Sequence, residues 1–287
     1  MKKYLESVNL INISEAIDEH PELSENPNNR NLFSSKILRN IKGIIFDFDG
    51  TLFDNAKIPL YMILACPHDI MRLWKERKVR KQFASCDYLY PEKYFRVFFT
   101  AMGKACYRPA EKIRHWYFNR FMPRMIRVVK RHYMPRPGAQ ELFHLFDETT
   151  PGQQNRPKVA VYSDYPFLKE RLQALGLEAG QNVRLYGPDC FGAQKPAARP
   201  FLSIAYDMGI SPQEVLVVGD REETDGLGAF RAGMRFFCLE TGHRRHYNMD
   251  PYRKLHRDDL QGPSLIMYAG RWDDLYKLLI EKYGKNT

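Results

Sequence analysis

Phe46-Asp47-Phe48-Asp49-Gly50-Thr51-Leu52-Phe53-Asp54 follows Gly43-Ile44-Ile45 without interruption. The apolar run reads as a short strand buried on both faces, and it ends in two acids, a glycine and a hydroxyl. Asp47 and Asp49 are two residues apart, so both carboxylates would share one side of an undistorted strand. Gly50 lets the backbone turn sharply there and frees amide groups for an anion. Gly50 and Thr51 are therefore candidate anion-binding positions beside the acid pair.

The same strand pattern recurs downstream. Val159-Ala160-Val161-Tyr162 and Val215-Leu216-Val217-Val218 are near-continuous apolar runs, whereas Arg184 interrupts Val183-Arg184-Leu185-Tyr186. A fifth run, Met234 to Leu239, follows Gly233. Helical spacing fills the gaps: Ala139 to Phe146, Pro166 to Leu175 with Gly176 as its stop, Phe201 to Met208, and Gly226 to Ala232. Trp272 to Tyr283 reads as a closing amphipathic helix. Strand alternating with helix predicts an α/β fold, a doubly wound parallel sheet with right-handed crossovers.

Open parallel sheets bind ligands outside the carboxyl ends of their strands. Here each strand delivers a polar group to that rim. The first brings Asp47 and Asp49, the second Ser163 and Asp164, the loop after the third Lys195, and the fourth Gly219-Asp220 with Asp225 close behind. The set suits phosphoryl transfer. A carboxylate can attack phosphorus to form an aspartyl-phosphate, and a second can protonate the leaving oxygen and then activate water. Carboxylates facing an anionic substrate demand a cation, and Mg²⁺ accepts hard oxygen ligands. Ser163 and Lys195 would hold the non-bridging oxygens.

The 287 residues are 44% hydrophobic and 27% charged, enough for a packed core and far from disordered or disulfide-scaffold compositions. No apolar run approaches the roughly 18 residues needed to cross a bilayer. The amino-terminal stretch lacks a signal peptide's apolar run, and five cysteines without a C-x-x-C pair read as reduced thiols. A cytoplasmic protein is the expectation. Charge is unevenly divided: residues 57–136 hold 19 Lys+Arg against 5 Asp+Glu, and the rest of the chain 25 against 29. That basic segment is rich in aromatics and helix-compatible. The division expected is an amino-terminal extension over 1–40, an α/β core over 41–54 and 137–287, and an inserted helical cap over 55–136. The extension is expected on the surface or partly disordered, with 25–31 as a loop.

The four polar strand ends, taken in order, resemble the signatures of the haloacid dehalogenase-like superfamily. They are Phe46 to Asp54, Val161-Tyr162-Ser163-Asp164, Lys195-Pro196, and Val218-Gly219-Asp220 through Asp225. The flanking Pro135-Arg136-Pro137-Gly138-Ala139 and Gly228 to Met234 agree, so the resemblance covers about residues 42–240. It implies a Rossmann-like core. Asp47 matches the nucleophile and a Mg²⁺ ligand. Asp49 matches the general acid/base, with its backbone carbonyl on the metal. Ser163 and Lys195 match the phosphate-binding hydroxyl and lysine, Asp220 the metal-binding acid, and Asp225 the acid that supports the metal through a water. Asp164 departs from the usual Asn, and Ala198 stands where a second Pro often follows the lysine.

Dehalogenases of this superfamily lack the second acid of the first signature, because halide leaves without a proton. The retained Asp49 therefore favours phosphate-ester chemistry on a small phosphorylated metabolite. The cap's position resembles that of phosphoglycolate phosphatase-like and β-phosphoglucomutase-like members, which leaves a phosphomutase as the alternative. A different class of reading is a non-catalytic binder of a polyanion or nucleic acid through the basic cap, where Lys112 to Arg120 interleaves cations with aromatics. The plainer expectation for those aromatics is a small cap core. Ser163 and Asp225 could also serve as helix caps, and Glu222 and Glu223 read as solvated loop acids.

Overall fold

The structure, a computed structural model, describes residues 9–12, 38–147, 156–240 and 266–284. Its strands are β1 (Asn9–Asn12), β2 (Gly43–Asp47), β3 (Lys158–Tyr162), β4 (Val183–Tyr186), β5 (Val215–Gly219), β6 (Arg235–Leu239) and β7 (Ile266–Gly270). They form one parallel sheet in the order β1-β7-β6-β5-β2-β3-β4. β2 pairs with β3 on one side and β5 on the other. From β2 the chain first builds outward through β3 and β4, then returns to build through β5, β6 and β7. The reversal of strand order beside β2 places the first acid pair at the switch point, where such sheets bind ligands.

Two strands lie beyond the five that the apolar pattern predicts. β7 fills the place next to β6, and β1 pairs with β7 at the edge. Within the stretch expected as a surface or partly disordered extension, Asn9–Asn12 adds an edge strand that the sequence pattern does not announce. Four residues with two apolar side chains are too short a pattern to read, and the parallel partner lies more than 250 residues along the chain. The expected loop at 25–31 lies outside the described residues.

Alternate residues of each central strand bury opposite faces, as a covered parallel sheet requires. Ile44, Phe46, Val159, Val161, Leu216 and Val218 pack with α6 (Ala139–Asp147), α7 (Leu168–Ala174) and α11 (Trp272–Tyr283). Ile45, Ala160, Tyr162, Val215 and Val217 pack with α9 (Ala198–Met208) and α10 (Leu227–Arg231). Between β4 and α9 runs one short helix, α8 (Pro188–Phe191).

The segment after β2 is helical: α1 (Ile58–Ala65), α2 (Ile70–Gln82), α3 (Pro91–Cys106), α4 (Ala110–Trp116), a widened turn at Tyr117–Phe121, and α5 (Met122–His132). Most of its aromatics turn inward, while Trp74, Tyr90 and Tyr107 are exposed. Tyr94, Phe98, Phe99, Trp116, Tyr117 and Phe121 form a cluster separate from those on the sheet. In the Lys112–Arg120 stretch, Ile113, Trp116 and Tyr117 are buried while Lys112, Arg114, His115 and Arg120 face solvent. Trp116 and Tyr117 are core and offer no exposed ring on which a nucleic-acid base could stack.

The loop between α2 and α3 is stitched to the loop that carries Lys195. Tyr88 N–H donates to the Gly192 carbonyl at 3.0 Å, Gln194 N–H to that of Cys86 at 3.0 Å, and Ser85 N–H to that of Lys195 at 3.3 Å. Gly192 sits at φ +61°, and a Cβ there would lie 2.3 Å from Tyr90 backbone, so the seam requires glycine. Arg199 closes the seam with two hydrogen bonds to Asp87, at 2.6 and 2.7 Å. No described helix is long and apolar enough to cross a membrane, and all five cysteines are free.

Candidate active site

β2 ends at Asp47, and the following turn is anchored from both sides. Phe48 and Phe53 are fully buried and meet edge to face at 5.2 Å. Arg136 donates from Nε to the Thr51 carbonyl at 2.7 Å and from Nη2 to that of Gly50 at 3.1 Å. Gly50 has φ +99°, and a Cβ on it would meet the Asp220 carboxylate at 2.5 Å. Only a glycine lets the first turn approach the end of β5 this closely. The acids of the two signatures thus converge where the Gly50 backbone lies against the Asp220 carboxylate.

Asp47 and Asp49 do not share one environment. The Asp47 carboxylate accepts Lys195 Nζ on Oδ1 at 2.6 Å and Thr51 Oγ1 on Oδ2 at 3.1 Å. Thr51, expected at the anion, spends its hydroxyl on orienting this carboxylate. Lys195 is almost fully buried and also donates to Asp225 Oδ1 at 2.7 Å and to the Tyr162 carbonyl at 2.9 Å. Burial works against its charged form, but Asp225, Asp47 and Asp164 outweigh that and hold the ammonium above its ordinary range. Burial pushes the Asp47 carboxyl well above the usual carboxylate range. Lys195 pulls it down, while Asp225, Asp220 and Asp49 push it further up.

Asp49 belongs to a second network. Ser163 Oγ donates to its Oδ2 at 3.1 Å, and Arg171 pairs with its Oδ1 through Nη2. Arg171 Nη1 also donates to Ser163 Oγ at 2.8 Å, and the Tyr165 N–H donates to the same oxygen at 3.2 Å. The Ser163 hydroxyl is therefore part of this knot and not an α7 cap: α7 begins at Leu168, after Phe167 at φ +60°. Asp164, the departure from the usual Asn, accepts the Lys195 N–H on Oδ1 at 3.0 Å and so fastens two signature loops together. Asp225 turns its carboxylate to Lys195 and not to the start of α10. Glu222 is buried, a correction to its reading as a solvated loop acid: the widened turn Glu222–Gly226 folds back against the ends of β5 and β6. Glu223 pairs with Arg221 at 2.9 Å.

Every expected site residue reaches one rim. Arg171 was not expected there, and its only trace in the sequence is a cation on the inward side of an amphipathic helix.

Asp47, Asp220 and Asp225 offer carboxylate oxygens within 4.8 Å of one another, all on buried residues. Three hard oxygen donors, with Gly50 leaving room beside Asp220, fit a small divalent cation. A second carboxylate held apart from them, a buried lysine and a hydroxyl complete a set able to attack, protonate and offset charge.

A curated relative, the phosphoglycolate phosphatase of Aquifex aeolicus (strain VF5), is 27% identical over 196 residues, covering 67% of this chain and 81% of the relative. The fold is similar to that of a 2-haloacid dehalogenase from Pseudomonas syringae pv. Tomato DC3000, with a TM-score of 0.54 at 16% identity over 84% of this chain and 99% of that one. It is also similar to a HAD phosphatase from Thermococcus onnurineus, with a TM-score of 0.50 at 16% identity over 83% and 98% of the two chains. The match to a family description spans residues 41–233, and the chain belongs to the haloacid dehalogenase-like hydrolases.

Proposed function

We propose that the protein is a Mg²⁺-dependent phosphatase acting on a small phosphorylated metabolite, with Asp47 as nucleophile and residues 55–136 as the cap over the site. The observation that carries this reading is the separation of two carboxylates: Asp47 lies against Lys195 and clusters with Asp220 and Asp225, while Asp49 is held in its own network. A dehalogenase needs only the first; an alkoxide leaving group needs a proton from the second.

In the first half of the reaction an Asp47 oxygen attacks phosphorus, and the bond to the ester oxygen breaks. The leaving oxygen takes the proton of the Asp49 carboxyl. In the second half Asp49, now ionised, takes a proton from water as the water oxygen attacks phosphorus and the bond to Asp47 breaks. Lys195 offsets charge on the nucleophile and on the phosphoryl oxygens. Ser163 can turn its hydrogen from Asp49 to a phosphoryl oxygen while still accepting from Arg171 and Tyr165. Asp47, Asp220, Asp225 and the Asp49 carbonyl would hold Mg²⁺, which supplies the positive charge that lets a carboxylate meet a phosphate.

Phosphate release from an aryl phosphate with Mg²⁺ tests the reading. Activity is expected with the metal and loss is expected with EDTA. Turnover that survives EDTA overturns it, and isomerised hexose phosphate without free phosphate selects the mutase. A panel of phosphorylated metabolites then names the substrate.

A further inference from the structure

Arg171 is the largest fully buried side chain among the described residues, with none of its surface exposed. It lies on α7, whose outer neighbours Lys169 and Glu170 are solvated. Its guanidinium sits 4.6 Å from the Phe48 ring centroid and 5.4 Å from that of Tyr165. Phe48 lies between the two acids in sequence, and Tyr165 follows Ser163 by two, so both rings belong to the loops they steady. The cap reaches the same place: Arg80 lies 4.0 Å over the Tyr165 ring and donates to the Asp164 carbonyl at 3.0 Å.

A buried arginine is an expensive way to stabilise a fold, since the desolvation it suffers often exceeds the attraction it gains. Arg171 also leaves Nε buried without a hydrogen-bond partner among the described residues. What the arrangement does achieve is geometric. Nη2 and Nη1 engage Asp49 Oδ1 and Ser163 Oγ together, and Ser163 engages Asp49 Oδ2. One planar, rigid group thus holds one oxygen of Asp49 directly and the other through the Ser163 hydroxyl, a task for which a lysine's point charge is poorly suited.

We infer that Arg171 is a positioning residue for proton transfer: it aims Asp49 at the ester oxygen, and its worth scales with how much the leaving group needs a proton. The inference rests on the phosphatase reading. It predicts selectivity by leaving group. A dinitrophenolate departs without a proton, whereas an alkoxide does not, and general acid catalysis contributes about 10²–10⁴-fold where it is needed.

The experiment compares kcat/KM, which reports the first half of the reaction, for 2,4-dinitrophenyl phosphate and for an alkyl phosphate that the wild type hydrolyses. In Arg171→Met the expected loss is about 10²-fold or more on the alkyl ester and within about fivefold on the dinitrophenyl ester. A burst of one dinitrophenolate per site is also expected, because Asp49 must still activate water in the second half. Arg171→Lys should recover part of the alkyl-ester loss. Melting temperature shows that each variant is folded. Equal losses on the two esters, or no loss on either, overturn the assignment while the phosphatase reading stands. Absence of hydrolysis by the wild type overturns that reading and the assignment with it.

Discussion

Asp47 in the core and Asp69 in the cap are both nearly fully buried carboxylates, each 7% exposed, and they are held in opposite senses. Burial pushes both upward. At Asp69 that push is overcome by three donors: Trp116 Nε1 at 3.0 Å, Arg124 Nη1 at 2.8 Å and Arg72 Nη1 at 2.8 Å. Its carboxyl lies below the ordinary 3.8. At Asp47 burial prevails, because Lys195 is shared with Asp225, and Asp220 and Asp49 add negative charge. A carboxylate with every lone pair answered is a fastener between helices. One crowded by its own kind holds charge that a cation or a reacting phosphorus can relieve, which is the physical mark of a reactive site.

The sharpest way to break this contrast is the same substitution in both places. Asp47→Asn keeps the shape and removes the carboxylate proposed as nucleophile, so a loss of at least ~10³-fold in kcat is expected, with the fold intact. Asp69→Asn should leave kcat within a few-fold. Phosphate release and melting curves check both. An active Asp47→Asn enzyme would falsify the division of labour. So would an Asp69→Asn variant that stays folded with its catalysis lost.

Stability should divide the other way. Asp69→Ala strips charged hydrogen bonds from Trp116, Arg124 and Arg72, and a cost of about 2–3 kcal/mol in urea unfolding is expected at pH 7. The sign with pH follows from the direction of the shift. A carboxyl whose folded value is depressed stabilises above its unfolded value and ceases to do so as pH falls through the folded one. The gap between wild type and Asp69→Ala should therefore narrow below about pH 4. A gap that is constant from pH 7 to pH 3 would mean that Asp69 matters only by its packing.

The same contrast explains what could be read in advance. Asp47, Asp49 and Asp220 stand at or just past strand ends, where a short apolar run stops at a polar residue, so pattern alone finds them. Lys195 is found by its Lys-Pro pair in the loop after β4. Arg171 and Arg80 sit inside amphipathic helices, and a cation there reads as solvated until the packing shows which side is inward. β1 escaped because Asn9–Asn12 carries no period long enough to detect and its partner β7 is remote. The start of α7 is two residues later than Pro166 suggests, because Phe167 adopts φ +60°, a conformation that its residue type gives no reason to expect.

The smallest expected effect concerns the cap's surface. Its five acids do not offset its cations evenly. Asp69 and Glu76 are buried against arginines, and Asp87 is bound to Arg199 of the core. Glu92 and Glu111 remain at the surface, with Asp87 exposed but paired, against a majority of the segment's 19 basic residues. The field outside the cap is therefore more one-sided than composition suggests, and an anionic substrate should be drawn toward it. Because exposed charges are screened within about 8–10 Å at physiological salt, the effect belongs to encounter and not to chemistry. Raising NaCl from about 20 to 300 mM should lower kcat/KM several-fold and leave kcat unchanged, if substrate capture is rate-limiting at low substrate. A polyanion partner would show instead as single-stranded nucleic acid binding that weakens steeply with salt. If neither quantity responds to salt, the lysine and arginine stems serve only to cover the cap's apolar core. In that case the cap would be, like Asp69 within it, wholly a matter of structure.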